Sequence, residues 1–145
     1  MGLLNSGFDI CASGLTAQRL RMDVIANNLA NATTTRTENG GPYRRQIVVF
    51  EARSNTSDFK RLLDNELTGL SGVRVKQIVT DNSPLRQVYD PSHPDANAEG
   101  YVSYPNVNVV AEMTDMISAT RSYEANITAL NTLKHMATRA IEIGR

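Results

Sequence analysis

Apolar residues recur at alternating steps of three and four near both ends of the chain, a spacing typical of helices that pack along one stripe. The first stretch covers residues 4–29 and has one polar exception, Gln18. Its apolar positions are Leu4, Phe8, Cys11, Leu15, Met22, Ile25 and Leu29. The second stretch covers residues 109–141 and has polar exceptions at Thr120 and Lys134. Its apolar positions are Val109, Met113, Met116, Tyr123, Ile127, Leu130, Ala137 and Ile141.

Two stripes of this kind predict two long helices that lie antiparallel, as a coiled-coil-like hairpin within one subunit. Both helices carry further apolar positions beside the main stripe. These are Leu3, Ile10, Ala17 and Val24 in the first helix and Ile117, Leu133 and Ala140 in the second. A hairpin needs only one stripe per helix, so these positions indicate further partners, either the small β region or other subunits. We favour other subunits, since we expect the β region to cap the far end of the hairpin.

The segment between the stripes has the composition of short strands and turns. Residues 43–51, 73–79 and 85–89 predict strands, and residues 100–107 predict a further extended stretch. Ser57 or Asp58 can cap a short helix near residues 57–67. The predicted fold is therefore mainly α with a small β region. Its parts are a helical core domain, residues 1–32 and 107–145, and a β-rich, extended middle region, residues 33–106.

Composition limits the classes of function. The 145 residues include 15 basic and 15 acidic side chains, so the formal charge is zero. This balance argues against a nucleic-acid binder, which needs a basic surface, and against adsorption to an anionic membrane. No apolar run is long enough to cross a bilayer, and the N-terminal residues lack the pattern of a cleaved signal peptide. The single cysteine, Cys11, lies in the apolar stripe and is predicted to be a packing thiol.

Residue types that carry chemistry are present, but they do not form a recognisable site. His93 and His135 have no second ligand at metal spacing, and no glycine pattern matches a phosphate-binding loop. The acidic residues of the helices are predicted to be solvated charges on polar faces; they are Asp9, Asp23, Glu112 and Asp115. We therefore expect no catalytic residue, no metal and no cofactor, and we expect that the protein is not an enzyme.

Three asparagines stand close together at the end of the first predicted helix, Asn27, Asn28 and Asn31. Their amides can bond to a neighbouring chain, because each both donates and accepts hydrogen bonds. The alternative is simple helix termination, since asparagine tolerates left-handed geometry. We favour the interface, because three amides in five residues exceed what one helix end requires.

Several motifs resemble the flagellar basal-body rod and hook family. The sequence SGLTAQ at residues 13–18, followed by IANNLAN at residues 25–31, resembles the N-terminal signature of that family. Residues 123–141 are similar to its C-terminal helix. The motifs VYDP, HPDA and PNVNV, at residues 88–91, 93–96 and 105–109, resemble the proximal-rod branch in particular. The resemblance covers nearly the whole chain except residues 53–72.

This resemblance implies a structural, non-enzymatic subunit of the proximal rod, the periplasmic drive shaft that transmits torque from the inner-membrane ring toward the hook. It implies export by the flagellar type III apparatus without signal cleavage. The implied partners are other rod subunits, copies of itself, the inner-membrane ring-to-rod adaptor and the export apparatus. We expect no nucleic-acid partner and no direct membrane insertion.

A rod subunit needs surfaces for its neighbours, and we assign these to the helical stripes and the asparagines. The predicted subunit-interface residues are Leu4, Phe8, Cys11, Leu15, Met22, Ile25, Asn27, Asn28, Leu29, Asn31, Met113, Met116, Tyr123, Asn126, Ile127, Leu130 and Ile141. Two rival functions fit parts of the pattern. A coiled-coil adaptor or export chaperone of a secretion system would share the helical ends but would not need residues 101–108. A cell-wall hydrolase would need a nucleophile, a base and an orienting group, and these residues do not supply such a set.

Overall fold

The structure is a computed structural model that describes residues 2–38, 40–53 and 71–143. In that part of the chain, a long helix at each end flanks four short strands in sequence. The elements are α1 (Gly2–Ala30), β1 (Gln46–Ala52), β2 (Val73–Thr80), β3 (Arg86–Tyr89), β4 (Tyr101–Tyr104) and α2 (Val109–Ile143). This order confirms the mainly α fold with a small β region. The short helix expected near residues 57–67 lies outside the described residues.

The two helices run antiparallel, as the sequence predicts. Asn28 near the end of α1 contacts Glu112 near the start of α2, and the contacts then step along both helices. A Cβ placed on Gly14 would lie 3.0 Å from the amide nitrogen of Asn126. A Cβ on Gly7 would lie 3.2 Å from Cδ1 of Leu133. The helices therefore approach closely where α1 has no side chain, in steps of seven residues.

The stripe that α2 turns toward α1 is not the predicted one. Its buried and half-buried positions are Glu112, Asp115, Met116, Ala119, Ser122, Tyr123, Asn126, Leu130, Leu133 and Ala137. One half of the predicted stripe, the row from Met116 to Ala137, thus faces inward. The other half, which contains Met113, Ile127 and Ile141, is exposed. Relative to the prediction, α2 is rotated by about 50° around its axis.

The β1–β2 ribbon lies along α1, so the expectation that it caps the far end of the hairpin is wrong. Its antiparallel pairing runs from Gln46 and Thr80 to Ala52 and Val73, with a bulge between Val49 and Phe50. Asn28 holds the backbone of Gln46 at one end of the ribbon. At the other end the amide nitrogen of Val73 donates to Oγ of Ser13, at 3.1 Å. The ribbon therefore follows α1 for about four helical turns.

The position of the ribbon also corrects the expected partner of the second apolar row of α1. Ala17 and Val24 are buried. Ala17 lines a cleft together with Val73 and Val75 of β2, and Val24 lines a second cleft together with Gln46 and Val48 of β1. The partner of this part of the row is thus the subunit's own β region, where we had favoured other subunits. The error arose because we expected the ribbon at the end of the helix, where it could not reach these residues.

The β3–β4 hairpin precedes α2 and buries Val102 completely. Four residue pairs join the strands, from Arg86 with Tyr104 to Tyr89 with Tyr101. Gly100 has a φ of +83°, and a Cβ there would lie 2.9 Å from the ring of Tyr89. A glycine is therefore required both by the backbone conformation and by the space available.

Candidate functional site

A buried asparagine lies where α1, β1 and α2 meet. Only 1% of Asn28 is exposed, and its amide is fully hydrogen-bonded inside the subunit. Its Nδ2 donates to the carbonyl of Gln46 at 2.8 Å and to Oε2 of Glu112 at 3.1 Å. Its Oδ1 accepts from the Gln46 amide and from the hydroxyl of Tyr43, each at 2.9 Å. Asn28 therefore joins the two helices to the first strand.

Glu112 is equally buried, with 1% exposure, and its charge is paired. Its Oε1 accepts from Nε of Arg45 at 2.6 Å, so both carboxylate oxygens are bonded. Asp115, one turn further along α2, lies 3.5 Å from Arg45 and 3.4 Å from Arg21. Burying a carboxylate alone is costly, and the arginine with the asparagine amide removes most of that cost. We call Asn28, Arg45 and Glu112 the seam lock.

Two further residues connect the seam lock to the rest of the β region. Burial, and secondarily the nearby charge of Glu112, raise the pKa of Tyr43, so its hydroxyl stays protonated and donates to Asn28. Oδ1 of Asn106 accepts from the Arg45 amide at 2.9 Å, and its Nδ2 donates to the carbonyl of Asp81 at 3.1 Å. The segment before β1, the end of β2 and the start of α2 are thus held together.

The seam lock corrects two predictions. Glu112 is buried and Asp115 is partly buried, whereas both were expected to be solvated charges. Asn28 was expected at a subunit interface, but it bonds to its own chain. The available signal was the seven-residue row of Gly7, Gly14, Arg21 and Asn28, which consists of two glycines and two polar residues. Such a row can form the closest contact between two helices, although it lacks apolar residues.

The other two asparagines bond to each other at the end of α1. Nδ2 of Asn31 donates to the carbonyl of Asn27 at 3.0 Å and to its Oδ1 at 2.8 Å. Oδ1 of Asn31 accepts from the hydroxyl of Thr34 at 3.2 Å. The carbonyl of Asn27 also accepts from the Asn31 backbone amide at 3.1 Å, so the Asn31 side chain adds a second bond to it. Asn27 remains exposed, and Asn31 is half-buried.

One side of α2 exposes large apolar side chains that the subunit does not cover. They are between 37% and 73% exposed, and they are Val110, Met113, Ile117, Ile127 and Ile141. We call this set the outer face. On α1 it is bordered by Met22, whose sulfur lies 3.6 Å from the hydroxyl of Thr120. Phe8, Leu15 and Leu29 lie in the same seven-residue row of α1 as Met22, and all four are half-buried. Several exposed apolar side chains on one side of a helix indicate an interaction site.

The predicted interface residues thus divide into three groups by exposure. Ile25 and Asn28 are buried inside the subunit, and Asn27, Met113, Ile127 and Ile141 are exposed. The half-buried positions are Phe8, Cys11, Leu15, Met22, Leu29, Asn31, Met116, Tyr123, Asn126 and Leu130. The side chain of Leu4 lies outside the described residues. The structure brings most of these residues to the hairpin but places them on two sides of its seam.

Groups with possible chemistry are engaged in local contacts. Nδ1 of His93 accepts from the Asp95 amide at 3.1 Å, and its ring lies edge-on to that of Tyr104. Cys11 is a half-buried thiol. Among residues 2–38, 40–53 and 71–143, no three histidine, cysteine or acidic side chains form a group that could hold a metal. Neither of the two helices in this part of the chain is long and apolar enough to cross a membrane.

Comparison with known proteins agrees with these features. Residues 8–36 match a family described as "Flagella basal body rod protein". Residues 98–143 match a family described as "Flagellar basal body rod FlgEFG protein C-terminal". The two matched segments contain most of α1 and nearly all of α2, which form the hairpin.

Curated relatives match along nearly the whole chain, and each is named flagellar basal-body rod protein FlgC. The one from Borreliella burgdorferi is 51% identical over 99% of this chain and 98% of its own length. Those from Bacillus subtilis and Escherichia coli O6:H1 are 48% and 43% identical, and they cover 94% and 100% of this chain and 95% and 100% of their own lengths. These matches favour a rod subunit over an adaptor, a chaperone or a hydrolase. The chain belongs to the FlgC family of flagellar basal-body rod proteins, which are structural subunits of the rod and not a family of enzymes.

Proposed function

We propose that this rod subunit assembles through the outer face of its helical hairpin. The observation that carries the proposal is the row of exposed apolar side chains on α2, which the subunit's own ribbon and α1 leave uncovered. Full burial of such a side chain contributes about 1.5–3 kcal/mol, and these partly exposed side chains each contribute a fraction of that, so several together favour contact with neighbouring subunits. The proposed direct contacts are Phe8, Leu15, Met22, Asn27, Leu29, Met113, Ile127 and Ile141.

The remaining predicted interface residues support this surface from within the hairpin. Ile25 packs inside it, and Asn31 ends α1. Cys11, Met116, Tyr123, Asn126 and Leu130 are half-buried on or beside the rows that face the seam. Leu4 stays in the proposed set on its sequence pattern alone. The two rows of each stripe therefore have different proposed roles. One row packs between the two helices, and the adjacent row contacts neighbouring subunits.

The partners of this surface are, in our proposal, copies of the chain and other rod subunits. The ring-to-rod adaptor of the inner membrane and the flagellar type III export apparatus are proposed as further partners. The protein would act in the periplasm after export without a cleaved signal peptide. A tightly packed hairpin suits the transmission of torque, because close-packed helices resist deformation.

The test places charge on the outer face and compares it with charge on the opposite side of the same helix. Met113→Asp with Ile127→Asp introduces two carboxylates that stay in water in the subunit and become buried in the assembled rod. Ser118→Asp with Thr132→Asp has the same charge and the same spacing at exposed positions on the other side of α2. Cells carrying each pair are fractionated, and the subunit is quantified in basal bodies and in the soluble pool.

We expect the first pair to be produced but absent from basal bodies, so that those cells are non-motile. The control pair is expected to assemble and to support swimming. If both pairs are incorporated normally, the outer face is not the assembly surface. If only the control pair is excluded, the contacts lie on the opposite side of α2.

A further inference from the structure

Two neighbouring rows of α2 compete for the position against α1. The row that faces α1 contains Glu112, Ala119, Asn126 and Leu133. The adjacent row contains Met113, Thr120, Ile127, Lys134 and Ile141. A rotation of α2 by about 100° around its axis, the angle between successive helical residues, would exchange the two. Hydrophobic burial by itself favours the rotated arrangement, because Met113, Ile127 and Ile141 would then leave water.

The seam lock opposes that rotation. In the observed arrangement, Glu112 bonds to Asn28 and Arg45, and the Asn28 amide has all four of its hydrogen-bonding positions occupied. Rotation would carry Glu112 away from both partners. Asn28 would keep its bonds to β1 but lose its acceptor on α2, at a position where only 1% of the residue is exposed. An unsatisfied buried donor is costly, whereas an apolar residue at the same position would lose nothing.

A buried polar pair of this kind contributes more to the choice between arrangements than to stability. Replacing such a pair by apolar residues is often neutral for stability, while polar residues in helix seams fix one arrangement among several. The seam lock also reaches beyond the hairpin, since Tyr43 and the backbone of Gln46 bond to Asn28. The seam lock therefore links the ribbon to both helices.

We propose that the seam lock fixes the rotational setting of α2 and so keeps Met113, Ile127 and Ile141 on the outer face. Without it, the subunit covers these residues in its own seam. This inference rests on the proposed function only in one respect, that the exposed residues contact neighbouring subunits. The setting itself is a property of the single subunit and is tested there.

The test reads the setting of α2 from disulfide formation in the purified full-length subunit, with Cys11→Ser as background. Gly14→Cys with Asn126→Cys reports the observed setting, because a Cβ on Gly14 lies 3.2 Å from Cγ of Asn126. Gly14→Cys with Ile127→Cys reports the rotated setting. Both pairs are placed in the parent and in Asn28→Leu with Glu112→Leu. The matched control is Arg21→Leu with Asp115→Leu, which removes a charge pair whose side chains are 30% and 40% exposed and leaves Asn28 bonded to Glu112.

The parent and the control are expected to oxidise the first cysteine pair in preference to the second. In Asn28→Leu with Glu112→Leu, the disulfide yield of the pair at positions 14 and 127, relative to the pair at positions 14 and 126, should rise about tenfold or more. This is the change expected when one buried polar contact no longer favours the observed setting of α2. Glu112→Gln, which keeps the shape and loses the charge, should give a smaller rise in this ratio. If the double variant does not fold, the ratio in Glu112→Gln tests the proposal. An unchanged ratio in whichever of these variants are folded overturns the proposal. Because the readout is made on single subunits, it can fail while the outer face still assembles.

Discussion

Glu112 and Asn28 occupy positions in the helix seam where apolar side chains usually pack, and each has a polar partner that makes its burial tolerable. The carboxylate of Glu112 lies between Arg45 and the Asn28 amide. Asp115, on the next turn, has arginine partners as well but remains 40% exposed. The two acidic residues therefore differ mainly in burial, which allows burial to be tested separately from charge.

Glu112→Ala is expected to lower the free energy of unfolding by about 3–5 kcal/mol, since it leaves Arg45 and Asn28 without their shared partner. Asp115→Ala should cost less than about 1 kcal/mol, because water replaces its contacts. Urea unfolding of the purified subunit, followed by circular dichroism, measures both values. Equal losses in the two variants would show that Glu112 is not the buried member of the cluster.

Ionisation of Tyr43 is expected to lower the stability of the folded subunit at alkaline pH. Its pKa is raised in the folded subunit by burial and by Glu112, so folding favours the protonated hydroxyl. The resulting stabilisation is fully present below the unfolded pKa of about 10 and is lost as the pH rises through the folded pKa.

Tyr43→Phe should therefore be less stable than the parent at pH 8 by about 1 kcal/mol, the value of one hydrogen bond. The difference between the two should shrink above pH 10, where only the parent has Tyr43 to ionise. Thermal unfolding midpoints of both proteins between pH 8 and 11 measure this difference. A difference that stays constant over that range would contradict the role of the protonated hydroxyl.

At the scale of elements, the hairpin is supported unevenly along its length. The seam lock closes one end, and the β1–β2 ribbon covers α1 from Asn28 as far as Ser13. In residues 2–38, 40–53 and 71–143, Gly72 still approaches Ser13 and Ile10 of α1, and further toward the start of α1 the contact is that of Gly7 with Leu133 of α2. A pair of helices without a third layer buries little surface.

Backbone amide exchange should reflect this gradient. We expect the strongest protection near Asn28 and Glu112 and progressively weaker protection toward residues 6–12 and 130–142, because local opening costs least where few contacts are lost. Hydrogen exchange of the isolated subunit, read by mass spectrometry of peptides, gives the comparison. Uniform protection along both helices would mean that the hairpin is stable without neighbours.

The sequence was sufficient to predict which elements form but not how the helices are turned. Periodicity predicted both helices and their antiparallel pairing. Residue composition predicted strands over residues 43–51, 73–79 and 85–89, and the strands lie at residues 46–52, 73–80 and 86–89. Periodicity did not predict the rotation of α2, because two adjacent apolar and small rows have the same period. The deciding contact, Asn28 with Glu112, joins residues far apart in sequence and leaves no local pattern. The ribbon's place along α1 was missed for a similar reason, since it depends on Ser13 meeting Val73.

For the whole molecule, the division between an inner seam and an outer face links the fold to its role in the rod. The seam contains glycine, alanine and paired polar residues, which allow close approach. The outer face carries larger apolar side chains than a subunit on its own needs to expose. The central claim is that neighbouring subunits cover this face in the assembled rod.

Maleimide labelling of single cysteines measures that coverage most directly. In a Cys11→Ser background, the labelled positions are Met113→Cys and Ile127→Cys on the outer face. Ala98→Cys, in the exposed connection between β3 and β4, is the control. Each variant is first shown to support swimming, so that only assembled, functional rods are compared. All three cysteines should react in the purified subunit, and in isolated basal bodies only the cysteine at position 98 should react. Equal labelling of positions 113 and 127 in subunits and in rods would contradict the claim.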